Sequence, residues 1–246
     1  ILYRLVGSEM CIRDSIRALV IIPAKMDSTR VKNKNLRIIA GQTLLEHSLD
    51  YAMKSKYTID IIVTSESLKV ADLVHGYRHH NILDVYTHMV GIENKELHIV
   101  KRDKEYMGER EVADVYVNVI QNDIYNPDQH SGIKENGSIL REDLKNVTHI
   151  VGVQPDHPDR KVDLDTLLEY AVQNKYDDLF TVDNKGTRNG SVRIMKKEFV
   201  ESGEISRRVG SYVDNCTNVH SEQDLIDAEA NIEIKERLYE LGNEGE

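Results

Sequence analysis

Two cysteines, Cys11 and Cys216, are all that the 246 residues contain. That excludes a disulfide framework and fits a reducing cytoplasm. No apolar run approaches the roughly 18 to 20 residues of a membrane span. The short apolar patch near the start lacks the basic segment, apolar core and small-residue cleavage site of a signal peptide. Positive charge is not in excess either. The formal net charge is −10, which argues against general nucleic-acid binding, since that function shows a basic face. There is no internal repeat and no low-complexity tract. Neither a membrane nor a nucleic acid is expected as a partner.

Against this acidic background one short window is basic. Ala18-Leu-Val-Ile-Ile22 reads as a buried strand, and the loop after it carries Lys25, Ser28, Thr29, Arg30, Lys32, Lys34 and Asn35. The loop has no glycine, so it is not a Walker loop. Its hydroxyls and cations still suit a triphosphate, because charge-assisted hydrogen bonds to phosphate oxygens are the strong class. A globally acidic protein must hold an anionic nucleotide through such a local positive site. Composition alone favours a solvated basic surface for the loop. Its place at the carboxyl end of an apolar strand, where open α/β sheets bind ligands, favours phosphate.

The rest of the chain alternates strand-like and helix-like segments, which predicts an α/β fold: a mostly parallel sheet in three layers with helices on both faces. After 18–22 the pattern predicts a helix over 42–55, opened by the capping box Thr43-x-x-Glu46. Strands follow at 59–63 and 97–100, with helices at 67–80 and 108–121. Residues 123–145 read as a polar loop or insertion. A central strand at 147–153, a helix marked by Leu164, Leu167, Leu168 and Ala171, and strands at 179–182 and 192–195 come next. An amphipathic helix capped by Ser221-x-x-Asp224 closes the chain. Residues 1–15 do not resemble the remainder; MCIRDS looks like translated adapter sequence, and the segment is expected to be an artefactual or disordered extension. Residues 16–246 are expected to form a single domain.

Three further groups carry polar chemistry. Gln154-Pro-Asp156-His157-Pro-Asp159-Arg160 ends the strand at 147–153. There a carboxylate can bind Mg²⁺ shared with substrate phosphates, or the group can be a polar turn and helix cap. Arg188-Asn189-Gly190-Ser191 precedes a strand and also reads as an Asn-Gly turn. Asn218-Val219-His220-Ser221 leads into the last helix.

Together these segments resemble the acylneuraminate cytidylyltransferases (CMP-sialic acid synthetases) and the related CMP-Kdo synthetases. Pro23-Ala-Lys25-Met-Asp-Ser28-Thr-Arg30-Val-Lys-Asn-Lys34-Asn35 is similar to the family's P-A-R-x-x-S-x-R-x-x-x-K-N, with Lys25 replacing the leading arginine. Gly41-x-x-Leu44 is similar to its G-K-P-L turn. Ile62-Val-Thr-Ser65-Glu-Ser67 is similar to I-V-S-T-D-x. Gln154-Pro155-x-x-Pro158 is similar to Q-P-x-x-P, with Asp156 at the place of the metal aspartate of the Kdo branch. Asn189-Gly190 is similar to an N-G pair near the sugar. One motif departs: D-I-D-T before the final helix is Asn218-Val219-His220-Ser221, so both carboxylates are missing.

The resemblance implies a nucleotide-diphospho-sugar transferase fold (GT-A-like, Rossmann-like). It implies a cytidylyltransferase that joins CTP to an acidic eight- or nine-carbon 2-keto sugar, releasing pyrophosphate, in the cytoplasm and in the service of cell-surface polysaccharide. Lys25, Arg30, Lys34 and Asp156 are the expected catalytic residues. Pro23, Ala24, Lys25, Ser28, Arg30, Lys34, Asn35 and Ser65 are expected to bind nucleotide. Gln154, Arg188 and Asn189 are expected to bind the sugar. Mg²⁺ or Mn²⁺ is expected on Asp156, with His220 or Asn218 as a weaker neighbour and Asp214 as a further candidate. A homodimer is expected, with a dimerisation segment at about 155–190. Open alternatives are a same-fold transferase with another nucleotide or a sugar- or polyol-phosphate acceptor, and a non-catalytic nucleotide-binding relative.

Overall fold

The computed structural model describes residues 16–26, 28–88, 95–102, 114–116, 119, 146–202 and 207–243. Residues 1–15, the polar 123–145 segment and most of the helix expected at 108–121 lie outside the described residues.

The first strand, β1 (Ala18–Pro23), is buried through Ile22. Covered on both faces, it can be apolar at every position. A single 3₁₀ turn at Lys34–Leu36 and two short strands, β2 (Ile38–Ile39) and β3 (Gln42–Thr43), lead into helix α1 (Leu44–Met53). The expected capping box is present: the Thr43 hydroxyl accepts from Glu46 N–H and the Glu46 carboxylate accepts from Thr43 N–H. Then come β4 (Thr58–Ser65), α2 (Leu68–His88), β5 (Glu96–Lys101), β6 (His149–Val153), α3 (Leu164–Gln173), β7 (Asp178–Val182), β8 (Arg188–Lys196), α4 (Lys197–Ser202), β9 (Val209–Val213) and α5 (Glu222–Asn243).

Seven strands form one sheet in the order β5-β4-β1-β6-β8-β7-β9. All neighbours run parallel except β8, which is antiparallel to both β6 and β7. The three-layer α/β expectation therefore holds, with one reversed strand. Period-2 alternation splits the strands between two cores. Ala18, Val20 and Ile22 face α1, α2 and α3, whereas Leu19 and Ile21 face Tyr116, Val119 and Val200 of α4. Residues 188–191, read as a turn, instead begin β8, and β9 carries an alternating pattern too short to stand out from its polar surroundings.

A third apolar cluster bears on the site. Val31, Ile39 and Leu44 pack against Val219, Leu225, Ala228 and Ile232. It fastens the segment after β1 onto the start of α5.

At the head of β6, His149 is buried and its Nδ1 lies 2.8 Å from the Thr148 hydroxyl. Burial, with Lys196 adding to it, pushes the imidazole down to about 4. The unfolded chain, at about 6.5, takes the proton more readily. Stability is therefore expected to fall as pH drops from about 6.5 to about 4, by roughly 3 kcal/mol. His149→Gln should flatten that limb in urea melts at pH 7 and pH 4.5; equal slopes in both proteins would refute the assignment.

Candidate active site

Strands β1 and β6 lie side by side and parallel, with Ile21 opposite Gly152. Their following loops thus leave the same edge of the sheet, the edge at which open α/β sheets bind ligands.

The loop after β1 is shaped by its own buried groups. Ala24 N–H donates to Thr64 O at 2.9 Å, and Met26 N–H donates to the Glu66 carboxylate at 2.6 Å. Asn35 is buried, and its amide donates to Lys25 O at 2.7 Å. Asn33, at φ 53°, turns the chain into the 3₁₀ turn that Lys34 begins.

Lys34 reaches the second loop. Its Nζ lies 2.7 Å from Asp156 Oδ2 and donates to Val219 O at 3.1 Å. An ammonium has three N–H donors, so one remains for a phosphate oxygen. The pair is mostly withdrawn from solvent, with the side chains 15% and 17% exposed. On the far side of Asp156, the fully buried His157 places Nδ1 3.0 Å from Oδ1, out of line for a hydrogen bond. Burial opposes ionisation of Asp156, but His157 and Lys34 outweigh it and hold the carboxyl well below the ordinary range. The carboxylate is thus charged throughout the neutral range. What it adds to stability is lost only as pH falls below the usual carboxylate pKa toward this lower one.

The third segment is strapped alongside. Val219 N–H donates to Asp156 O at 2.9 Å. Asp159 accepts from Thr217 N–H, the Thr217 hydroxyl and Asn231 Nδ2, at 2.7, 2.8 and 2.7 Å. Arg30 Nη1 lies 3.0 Å from His220 Nδ1. Guanidinium only donates, so Nδ1 is the acceptor and the ring carries its proton on Nε2. Burial, Lys34 and Arg30 all push the His220 pKa down. At the rim Arg37 and Glu222 pair through two bonds of 2.6 Å.

The structure therefore brings Arg30, Lys34, Asp156 and His220 together, while Pro23 ends β1 and Ala24 is tied to β4. Lys25 is exposed and Ser28 half-buried on the same loop. Ser65 ends β4, and its hydroxyl accepts from Ser67 N–H at 3.2 Å. Gln154 packs against Gly190: a Cβ there would lie 3.0 Å from Gln154 Nε2, and φ of 77° also favours glycine.

Three expected contacts take different form. Asn35 ties down Lys25 O. Asn189 accepts from the Thr181 hydroxyl and Ser191 N–H through Oδ1, and donates to Asp214 O and Cys216 Sγ. Its side chain knits β7 and β8 to the 214–216 segment. Arg188 lies over the Phe180 ring at 3.6 Å. Asp214 is buried and accepts from Lys161 N–H at 3.0 Å.

Sequence reading assigned no role to Glu66, His157, Asp159 or Arg160. Arg160 is buried beneath the second loop; it donates to Gln154 O and to the Ser48 hydroxyl and stacks over Tyr51. The signal was an Asp-Arg pair directly after Gln-Pro-x-x-Pro, two charges that a plain surface turn does not require.

The donor set does not fit a divalent ion held by the protein. Among the described residues no three His, Cys, Asp or Glu side chains converge as a metal site needs. Asp156 Oδ2 is paired with Lys34, and His220 Nδ1 is paired with Arg30.

The chain is similar to known proteins in part of its sequence and in its fold. Residues 19–89 match the cytidylyltransferase family model. CMP-N,N'-diacetyllegionaminic acid synthase of Legionella pneumophila is 36% identical over 62 residues, 25% of this chain and 27% of that one. The 3-deoxy-manno-octulosonate cytidylyltransferase of Koribacter versatilis is 30% identical over 105 residues, 43% of this chain and 37% of that one. The matches thus span about a quarter to two-fifths of these relatives' length. A solved CMP:2-keto-3-deoxy-manno-octonic acid synthetase complexed with CTP superposes with a TM-score of 0.57 at 12% identity, covering 89% of this chain and 99% of that one. A cytidylyltransferase from Leptospira borgpetersenii gives 0.54 at 14% identity, covering 85% and 83%. The resemblance read from the motifs is thus borne out: residues 19–89 match the cytidylyltransferase family model, and most of the chain has a fold similar to that of the solved cytidylyltransferases.

Proposed function

We propose that the protein transfers CMP from MgCTP to an acidic 2-keto sugar of eight or nine carbons, releasing pyrophosphate. The observation that carries this reading is the meeting of Lys34 and Arg30, which lie inside the stretch that matches the family, with the Asp156 and His220 segments at the shared carboxyl edge of β1 and β6. The names of the legionaminic and octulosonic relatives support an acidic sugar as acceptor.

In this mechanism the sugar's anomeric hydroxyl oxygen attacks the α-phosphorus. The bond from that phosphorus to the bridging oxygen breaks, and pyrophosphate leaves with the electron pair. The hydroxyl proton passes to solvent. Catalysis is positioning and charge stabilisation. Lys34, held by Asp156 Oδ2 and Val219 O, presents its third N–H to the phosphates. Arg30 and Lys25 add charge along the chain of phosphates, and Ser28 adds a hydroxyl donor. Gln154, beside Gly190, faces the acceptor. A magnesium ion carried by the nucleotide would neutralise part of its charge. A cytoplasmic homodimer that feeds cell-surface polysaccharide assembly belongs to the same proposal.

The test is pyrophosphate release from CTP, UTP, GTP and ATP, each offered with sialic, legionaminic, pseudaminic and Kdo-type acids. Release with CTP and at least one of these acids is expected. CTP binding without release under any divalent ion would refute the transferase reading.

A further inference from the structure

We infer that Asp156 does not hold a resident divalent ion in this protein: it positions the Lys34 ammonium, which takes the ion's place beside the carboxylate. The inference rests on reading the cleft as a triphosphate site. Its test requires neither nucleotide nor turnover.

Four observations carry it. Oδ2 of Asp156 is paired with Lys34 Nζ at 2.7 Å, so a dication on that oxygen would sit against the ammonium's charge. Oδ1 is closed to solvent, 3.0 Å from a ring nitrogen of the buried His157. His220 accepts from Arg30 through Nδ1 and therefore carries its proton on Nε2. To offer Nε2 to a metal it would have to shift that proton to Nδ1, against the Arg30 donor. Asn218, which follows the strap from Asp159, supplies only a neutral amide.

The charge balance points the same way. Mg²⁺ prefers several oxygen ligands and is bound by carboxylates together with substrate phosphates. Here one carboxylate is already paired with the Lys34 ammonium, and a further dication would meet repulsion on that side. A triphosphate would not. Lysine carries one charge where magnesium carries two, and it needs no octahedral shell. The fixed ammonium and guanidinium can therefore do at the protein's side of the phosphates what a bound ion would do.

The experiment is an EPR titration of free Mn²⁺ against the full-length protein without nucleotide. The free-ion signal is expected to be unchanged through the submillimolar range. Sequestration of one Mn²⁺ per chain, lost in Asp156→Asn, would overturn the inference. Sequestration that survives Asp156→Asn places the ion elsewhere and supports it. Lys34→Met frees Oδ2 and is expected to raise Mn²⁺ affinity at least roughly tenfold. No gain would show that the lysine is not what excludes the ion, and would overturn it too. Failure of MnCTP to bind would refute the transferase reading and leave this inference standing.

Discussion

Lys34→Ala is expected to lower kcat/KM for CTP about a hundredfold or more. The figure follows from losing one charge-assisted contact to a transition state whose charge grows on the phosphates, worth about 2.7 to 4 kcal/mol. The substitution has a second effect. It leaves Asp156 charged, mostly out of water and without its partner, and breaking a withdrawn ion pair from one side costs more than the pair contributes. Stability should therefore fall along with activity, by about 1 to 3 kcal/mol, less than for a fully buried pair because both side chains retain some exposure. Asp156→Ala should lower turnover at least roughly tenfold through the displaced lysine, and Lys25→Ala by a similar factor.

The double variant Lys34→Ala/Asp156→Ala separates the two effects. Removing both charges should restore much of the lost stability, since no orphaned carboxylate remains. It should restore none of the activity. Urea denaturation and steady-state kinetics on the same four proteins would decide it. Undiminished kcat/KM in Lys34→Ala would remove the lysine from the mechanism. Activity recovered in step with stability would reduce the pair to a structural contact.

Gly152→Ala is expected to destabilise the protein by about 3 kcal/mol, the upper part of the range for overpacking. Gly152 lies in β6, directly across from Ile21 of β1. A Cβ built there would come within 2.1 Å of the Tyr116 ring, and the ring is itself buried. Neither can yield cheaply: the strand is central to the sheet, and the ring fills the second core beside Leu19 and Ile21. Because the closest atom is ring carbon, Tyr116→Phe should not relieve the clash. In a Tyr116→Ala background, already destabilised by its cavity, Gly152→Ala should cost little. Thermal melts of the four variants would show this coupling. Additive losses would mean that Tyr116 is not the obstacle.

Much of this architecture was legible because the patterns are local. β1 is an unbroken apolar run, and the Thr43–Glu46 and Ser221–Asp224 caps are set by spacing alone. The meeting of Lys34 with Asp156 was legible only through motif resemblance, since the two are 122 residues apart. What escaped reading was the direction of hydrogen bonds. Asn35 and Asn189 look like ligand contacts in sequence because amides can both donate and accept. Only coordinates show that the protein's own backbone and hydroxyls use them. The reversal of β8 was equally hidden, because an alternating strand reads the same in either direction.

The cluster joining Val31, Ile39 and Leu44 to α5 has a consequence for biosynthesis. The cationic loop leaves the ribosome before its partners do, since Arg30 and Lys34 find them 190 and 185 residues downstream. Until those partners are made, the lysine has no fixed aim and the arginine no histidine to lean on. Nucleotide competence would then arise only after the segment entering α5 has been translated, and a fragment cut short before α5 would keep the sequence that matches the family while lacking a working cradle.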